Sequence, residues 1–174
     1  VLNDPALVTV DAEDGQVAWT VLYANLVKML SRLHPACYGN SVWVCSPTTI
    51  PELLQLTIRV QNAGGTDFVG GSHVQVLSQD GKGNYTMLGR PALFTEKLPS
   101  LGTAGDVLLA DFSQYSIGLR KDVSVEKSSH LGFLSDTSYY RCLMRADGQG
   151  RWSKPMTPKS GDSLSWCVVL AGRS

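Results

Sequence analysis

Charge is what this sequence has least of. Asp, Glu, Lys and Arg make up 17% of its 174 residues, fifteen acidic against fifteen basic, and the formal net charge is zero. A chain so balanced carries no electrostatic footprint for nucleic acid or an anionic membrane. No stretch approaches the ~20 apolar residues of a membrane-spanning helix, and no charged-then-apolar leader opens the chain. There are four cysteines, Cys37, Cys45, Cys142 and Cys167. None forms a C-x-x-C pair or stands at zinc spacing from a histidine. They read as small buried hydrophobes of a reducing compartment, not as a disulfide framework. Internal repeats and low-complexity tracts are also lacking. What remains is an ordinary 43% of apolar residues and enough length to bury a core. Sparse, balanced charge fits a chain that covers much of its surface with copies of itself.

The local patterns predict α+β. "LNDPALVTV" is an extended entry segment and "DAEDGQ" a polar turn. From Gln16 to His34, Leu22, Leu26, Leu30 and Leu33 recur on one helical face with Trp19 and Met29, until Pro35 stops the helix. "SVWVCS" (41–46) reads as a strand buried on both faces. Thr49 and Glu52 stand at capping-box spacing around Pro51, predicting a second helix from Ile50 to Val60 that ends towards "NAGG". Strand patterns follow in "HVQVLS", "YTML", "PALF", "DVLLADF" and "DVSVE", with "QDGKGN" as a turn. In "SYYRCLMRAD", Tyr140, Cys142, Met144 and Ala146 alternate with Tyr139, Arg141, Leu143 and Arg145. "DGQG" then predicts a hairpin turn with "RWSKPM" as the returning strand, and "SLSWCVVLAG" a final apolar strand.

No motif here carries a legible active site. "DGKGNYT" lacks phosphate-loop spacing and sits between strands, and "GTDFVGG" lacks dinucleotide spacing and reads as a flexible loop. Ser124–Lys127, Ser135–Thr137 and Lys159–Gly161 imitate, in order, the motifs of serine acyl-enzymes. That chemistry needs its serine and lysine one helical turn apart, whereas "SVEK" alternates as a strand and sends Ser124 and Lys127 to opposite faces. His34 lies at a helix C-terminus, His73 at the start of a strand and His130 in a loop, so no H-E-x-x-H exists. "DAED" reads as a solvated turn. No catalytic, cofactor or metal residue is assigned.

Several segments, in order and over nearly the whole chain, resemble the C-terminal half of the tailed-phage major capsid proteins of the Hong Kong 97 fold. They are "LNDPALVTV", the 16–34 helix, "VWVCSPTTIPELLQL", "LGRPALFTEKLPS", "GDVLLADFSQYSIGLRKDVSVEKS" and "FLSDTSYYRCLMRADGQ". The resemblance implies an axial domain of two helices on a mixed sheet over residues 1–117. An elongated antiparallel sheet of the peripheral domain would span 118–161, and an axial final strand 162–174. The N-terminal arm, extended loop and spine helix of that family would lie upstream of Val1, in a larger coat protein. It implies a structural protein, not an enzyme, with no cofactor. Copies would join into pentamers and hexamers of a DNA-filled virion shell, assembled in the bacterial cytoplasm with scaffold, maturation protease and portal as further partners. No specific nucleic-acid binding and no membrane contact are implied.

Arg141 and Arg145, on one strand face, are candidate inter-subunit contacts; solvated edge charges that discourage stray pairing are an equal alternative. In members that join subunits by a Lys–Asn isopeptide bond, the acceptor position falls on Asp136 and the assisting acid near Leu143. The resemblance therefore implies no such cross-link. Two other readings stay open: an encapsulin-type nanocompartment shell of the same fold, and a hydrolase whose Ser, Cys and His converge from remote positions.

Overall fold

The computed structural model describes residues 2–61, 68–73, 75–81 and 83–173, with 57–61 and 68–73 described as backbone. In chain order the elements are β1 (Val8–Val10), α1 (Tyr23–Arg32), β2 (Val42–Cys45), α2 (Ile50–Leu54), β3 (Thr57–Gln61), β4 (Phe68–His73) and β5 (Leu77–Gln79). They continue with β6 (Tyr85–Met87), β7 (Arg90–Phe94), β8 (Val107–Ala110), β9 (Tyr115–Ser128), β10 (Tyr139–Gly150) and β11 (Cys167–Leu170). Among the described residues no helix is long and apolar enough to cross a membrane. The chain divides into two compact units: Val1–Gln114 with Trp152–Ser174, and Tyr115–Arg151.

The first unit is built on a seven-stranded mixed sheet in the order β1-β11-β8-β2-β7-β6-β5. β1 pairs parallel with β11 and β2 parallel with β7; the other neighbours are antiparallel. Every residue of β8 and β11 is buried, as continuous apolar runs such as "VLLA" and "CVVL" require. Trp43, Leu109, Val168 and Leu170 of the central strands are buried, as are Leu26 and Met29 of α1 and Leu33 just after it. The C-terminal end of α1 is stitched to the approach to β11. Arg32 pairs with Asp162 at 2.9 Å and its Nε donates to the Ser163 carbonyl at 2.8 Å.

Several expectations fail here for local physical reasons. The first helix begins at Tyr23, not Gln16, because Trp19 takes a left-handed backbone (φ 61°) and breaks the helical path. Its end at Arg32, just before Pro35, agrees with the sequence. The second helix stops at Leu54, and Thr57–Gln61 pairs with β4, since Thr57, Ile58 and Val60 are β-branched strand formers. The "NAGG" stretch lies outside the described residues. The capping box does not form: Thr49 Oγ1 donates instead to the Ser46 carbonyl at 2.7 Å. "GTDFVGG" is also no loop from Phe68 onward, where it becomes β4; residues 65–67 lie outside the described residues. His73 ends that strand, and its side chain lies outside the description.

The second unit is a two-stranded antiparallel ribbon of β9 and β10. Here "DGQG" makes no turn. Asp147–Gly150 continues β10 and pairs with Tyr115–Gly118. Its glycine serves packing: a Cβ on Gly148 would stand 2.6 Å from the Tyr115 ring laid across the partner strand. "RWSKPM" is accordingly no return strand; only Met156 bridges, to Leu164. The true hairpin connection is residues 129–138.

Candidate functional site

Among the described residues, neither the thiols nor the histidines assemble into a reactive group. Cys37, Cys45 and Cys167 are buried as expected, whereas Cys142 is exposed on β10, contrary to expectation. Burial, with Asp111 nearby, pushes the Cys37 thiol up to about 11. Burial, with Asp106, pushes Cys45 up to about 12, and burial, with Asp4, does the same to Cys167. Such thiols are protonated at neutral pH and poor nucleophiles. The His34 ring stacks edge-on against Trp152 at 5.3 Å, and its Nδ1 accepts from the Ala36 amide. Ser124 and Lys127 lie on β9 as the alternation demands, with Lys127 Nζ 5.9 Å from the centre of the Tyr140 ring. Among the described residues no group of His, Cys, Asp and Glu could hold a metal ion.

What the second unit offers is surface. Arg141 pairs across the ribbon with Glu126, and Arg145 with Lys121. Two register irregularities flank Arg145, each placing an extra residue on β9. The extra residue between Lys121 and Ser124 restores parity, so Lys121 and Glu126, five apart, reach each other at 3.7 Å. One face therefore carries Arg141, Arg145, Lys121 and Glu126. Both arginines are exposed.

The opposite face carries Tyr140, Cys142, Met144 and Ala146 from β10, as the alternation predicts. Facing them are Val125, Leu119 and Ile117 from β9. These side chains are exposed, with Ile117 at 70% and Val125 at 63%. The β9 half of this apolar face is not legible from periodicity, because the two bulges shift which residues share a side. Leu131, Phe133 and Leu134, at the hairpin tip, are exposed as well.

This exposed apolar face meets an independent finding: residues 3–156 match the phage capsid family. The chain belongs to the phage capsid family. Among solved structures it is similar to the capsid of an empty gene transfer agent (GTA) particle computed with C5 symmetry. The TM-score is 0.58 and the identity 15%, over 98% of this chain and 55% of that one. At that identity the likeness is one of fold, and the fold is of the Hong Kong 97 type, α+β as the sequence predicts. The phage capsid chain thus spans about half the length (55%) of that particle's capsid chain. No curated protein matches.

Proposed function

We propose that this chain is part of a structural major capsid protein of a tailed phage or prophage, a subunit that tiles with copies of itself into pentamers and hexamers of an icosahedral shell enclosing DNA. The match to the phage capsid family across residues 3–156 carries the reading. In this proposal the first unit is the axial domain. The β9–β10 ribbon is the returning sheet of an elongated peripheral domain. A bare two-stranded ribbon is marginal in water and needs a further element against its apolar side. The exposed Ile117, Leu119 and Val125 support that view of an incomplete sheet; the family's spine helix is the natural cover. Shell function uses repeated faces and requires no catalysis by this chain. Scaffold, maturation protease and portal would be its further partners, the cytoplasm its place of assembly and the virion its destination.

Arg141 and Arg145 are proposed inter-subunit contacts on the charged face of the ribbon. Asp136 stands where cross-linking members of the family carry the acceptor Asn, in a left-handed conformation (φ 50°) that Asp and Asn both tolerate. Assembled shells are therefore expected to run as single subunits on a denaturing gel, and a covalent ladder would overturn this. Electron microscopy of the full-length product tests the whole reading. Closed shells or capsomer rings are expected, and a protein that stays monomeric at assembly concentrations contradicts it.

A further inference from the structure

Sequence and structure part company at residues 16–22. Trp19, Leu22, Leu26, Met29 and Leu33 are spaced alternately three and four residues apart, the stripe of a single helix. The helix nevertheless starts only at Tyr23. Trp19 sits at φ 61°, a region that strains a residue with a bulky side chain, and its ring gains little burial there, being 54% exposed. What holds it is Arg173, in the segment after β11. The Trp19 amide donates to the Arg173 carbonyl at 2.8 Å, and Arg173 Nε donates to the Thr20 carbonyl at 2.7 Å. The Arg173 amide donates to the Gly102 carbonyl at 2.6 Å, and the Trp19 ring lies against Gly102, where a Cβ would stand 2.7 Å from it. Arg173 is itself fixed by the buried Asp106.

We propose that residues 16–22 are a two-state element latched by Arg173. With the latch closed, as in this structure, Trp19 is turned out of the helix and rests on Gly102. With Arg173 withdrawn, the segment winds onto α1 and lengthens it to Gln16. Four features favour that second state. α1 already exists, so the added turns need no new nucleus. Asp14 and Gly15 are residue types that start helices, and both precede the new first turn. Thr20 Oγ1 already donates to the Val17 carbonyl at 2.6 Å, the back-bond of a helical threonine. Winding also carries Trp19 to the stripe of Leu26, Met29 and Leu33, which are buried. Against it stand Val17, Thr20 and Val21, β-branched residues of modest helix propensity. Those opposing preferences leave a balance that one residue's contacts can set. The switch belongs to the first unit alone and goes beyond the capsid reading, on which it does not depend.

The test is hydrogen exchange in the unassembled full-length subunit. Winding gives the amides of Thr20, Val21 and Tyr23 carbonyl partners four residues back. In Arg173→Met their exchange is expected to slow at least ~tenfold, the change that about 1.4 kcal/mol of added protection produces. Loss of a mere clamp would instead speed it, so faster or unchanged exchange at these three amides overturns the proposal. Arg173→Met strands the Asp106 carboxylate, so Asp106→Asn with Arg173→Met repeats the measurement with no charge left buried at the pair. Slowed exchange is expected there too, with a cooperative melt showing that the first unit is folded. Adding Trp19→Gly supplies the converse. Glycine takes φ 61° without strain and disfavours helix, so this triple variant is expected to lose the slowing. Slowing that survives Trp19→Gly would place the protection elsewhere and contradict the switch.

Discussion

Asp106 and Arg173 are the one oppositely charged pair among the described residues with both side chains out of solvent. Arg173 also donates to the carbonyls of Thr20 at 2.7 Å and Ala171 at 2.9 Å, while Asp106 Oδ2 accepts from the Gly102 amide at 2.9 Å. Together they lock the segment after β11 to the loops that precede α1 and β8. Burial raises the Asp106 pKa above its ordinary 3.8, and the Arg173 guanidinium offsets that only in part. A folded value above the unfolded one means that Asp106 contributes stability below about pH 3.8 and loses it as the pH rises through the folded value. Arg173→Met removes the partner that limits this loss. The variant is expected to be destabilised by about 3–5 kcal/mol at pH 7, the range for stranding a buried charge, and by less at pH 4, where more of Asp106 is protonated and uncharged. Urea unfolding at both pH values decides it; an equal loss at each would show that charge is not the cause. Cysteine reactivity belongs to the same scale. Only Cys142 is exposed, so a thiol reagent is expected to modify one cysteine in the native chain and all four in denaturant. Selective reaction of Cys142 would then report exposure and not catalysis. Rapid modification of Cys45 or Cys167 without unfolding would contradict the burial described here.

Among the elements, the two units invite opposite responses to the same substitution. Leu109 of β8 is fully buried between β11 and β2, and Leu109→Ala is expected to cost about 3 kcal/mol from lost transfer energy and the cavity left behind. Leu119 of β9 is 59% exposed, and Leu119→Ala is expected to stay within about 0.5 kcal/mol. Trp43 and Trp166 are buried in the first unit, so their fluorescence in urea separates the two outcomes. Comparable losses at both sites would mean that the apolar side of the ribbon is covered in the chain itself. This contrast also explains what the sequence made legible. β2, β8 and β11 are visible because central strands buried on both faces must be unbroken apolar runs. The alternation of β10 is visible because each face has its own chemistry. "DGQG" and "ELLQLTIRV" mislead for the same reason. Turn-forming and helix-forming residues describe only local preference, and strand pairing with Tyr115–Gly118 and with β4 outweighs it. The partners of β10 across the ribbon are hidden because a bulge has no signature in periodicity. The exposed apolar residues of the hairpin connection, Leu131, Phe133 and Leu134, could have been noticed, since Leu, Phe and Leu are unusual in a solvated connector.

For the whole molecule, zero net charge turns from an absence into a constraint. Across these 174 residues, fifteen acidic and fifteen basic side chains cancel, so this stretch adds no net charge to the field between copies. If such a chain assembles, apolar contact supplies the affinity, and the few exposed charges set register. Arg141 and Arg145 are then informative in a way that buried residues are not. On the ribbon itself Arg141 faces Glu126 and Arg145 faces Lys121, so Arg145 gains nothing from its cross-strand neighbour and repels it weakly. Keeping it on that strand is easier to understand if a carboxylate from another copy comes to it. Arg145→Glu is therefore expected to leave the unassembled subunit as stable as before, or slightly more so through the new attraction to Lys121. Assembly of the full-length protein should slow in the variant, with the deficit largest at low salt. Screening above ~0.5 M salt should narrow the gap, because the Debye length then falls below about 5 Å. Arg141→Glu adds a direct test of orientation. It sets two carboxylates against each other at Glu126, so it should weaken the subunit slightly as well as the shell. Light scattering during assembly, at two salt concentrations, reads both variants. An Arg145→Glu protein that assembles at the wild-type rate in low salt would return that residue to the role of a solvated edge charge.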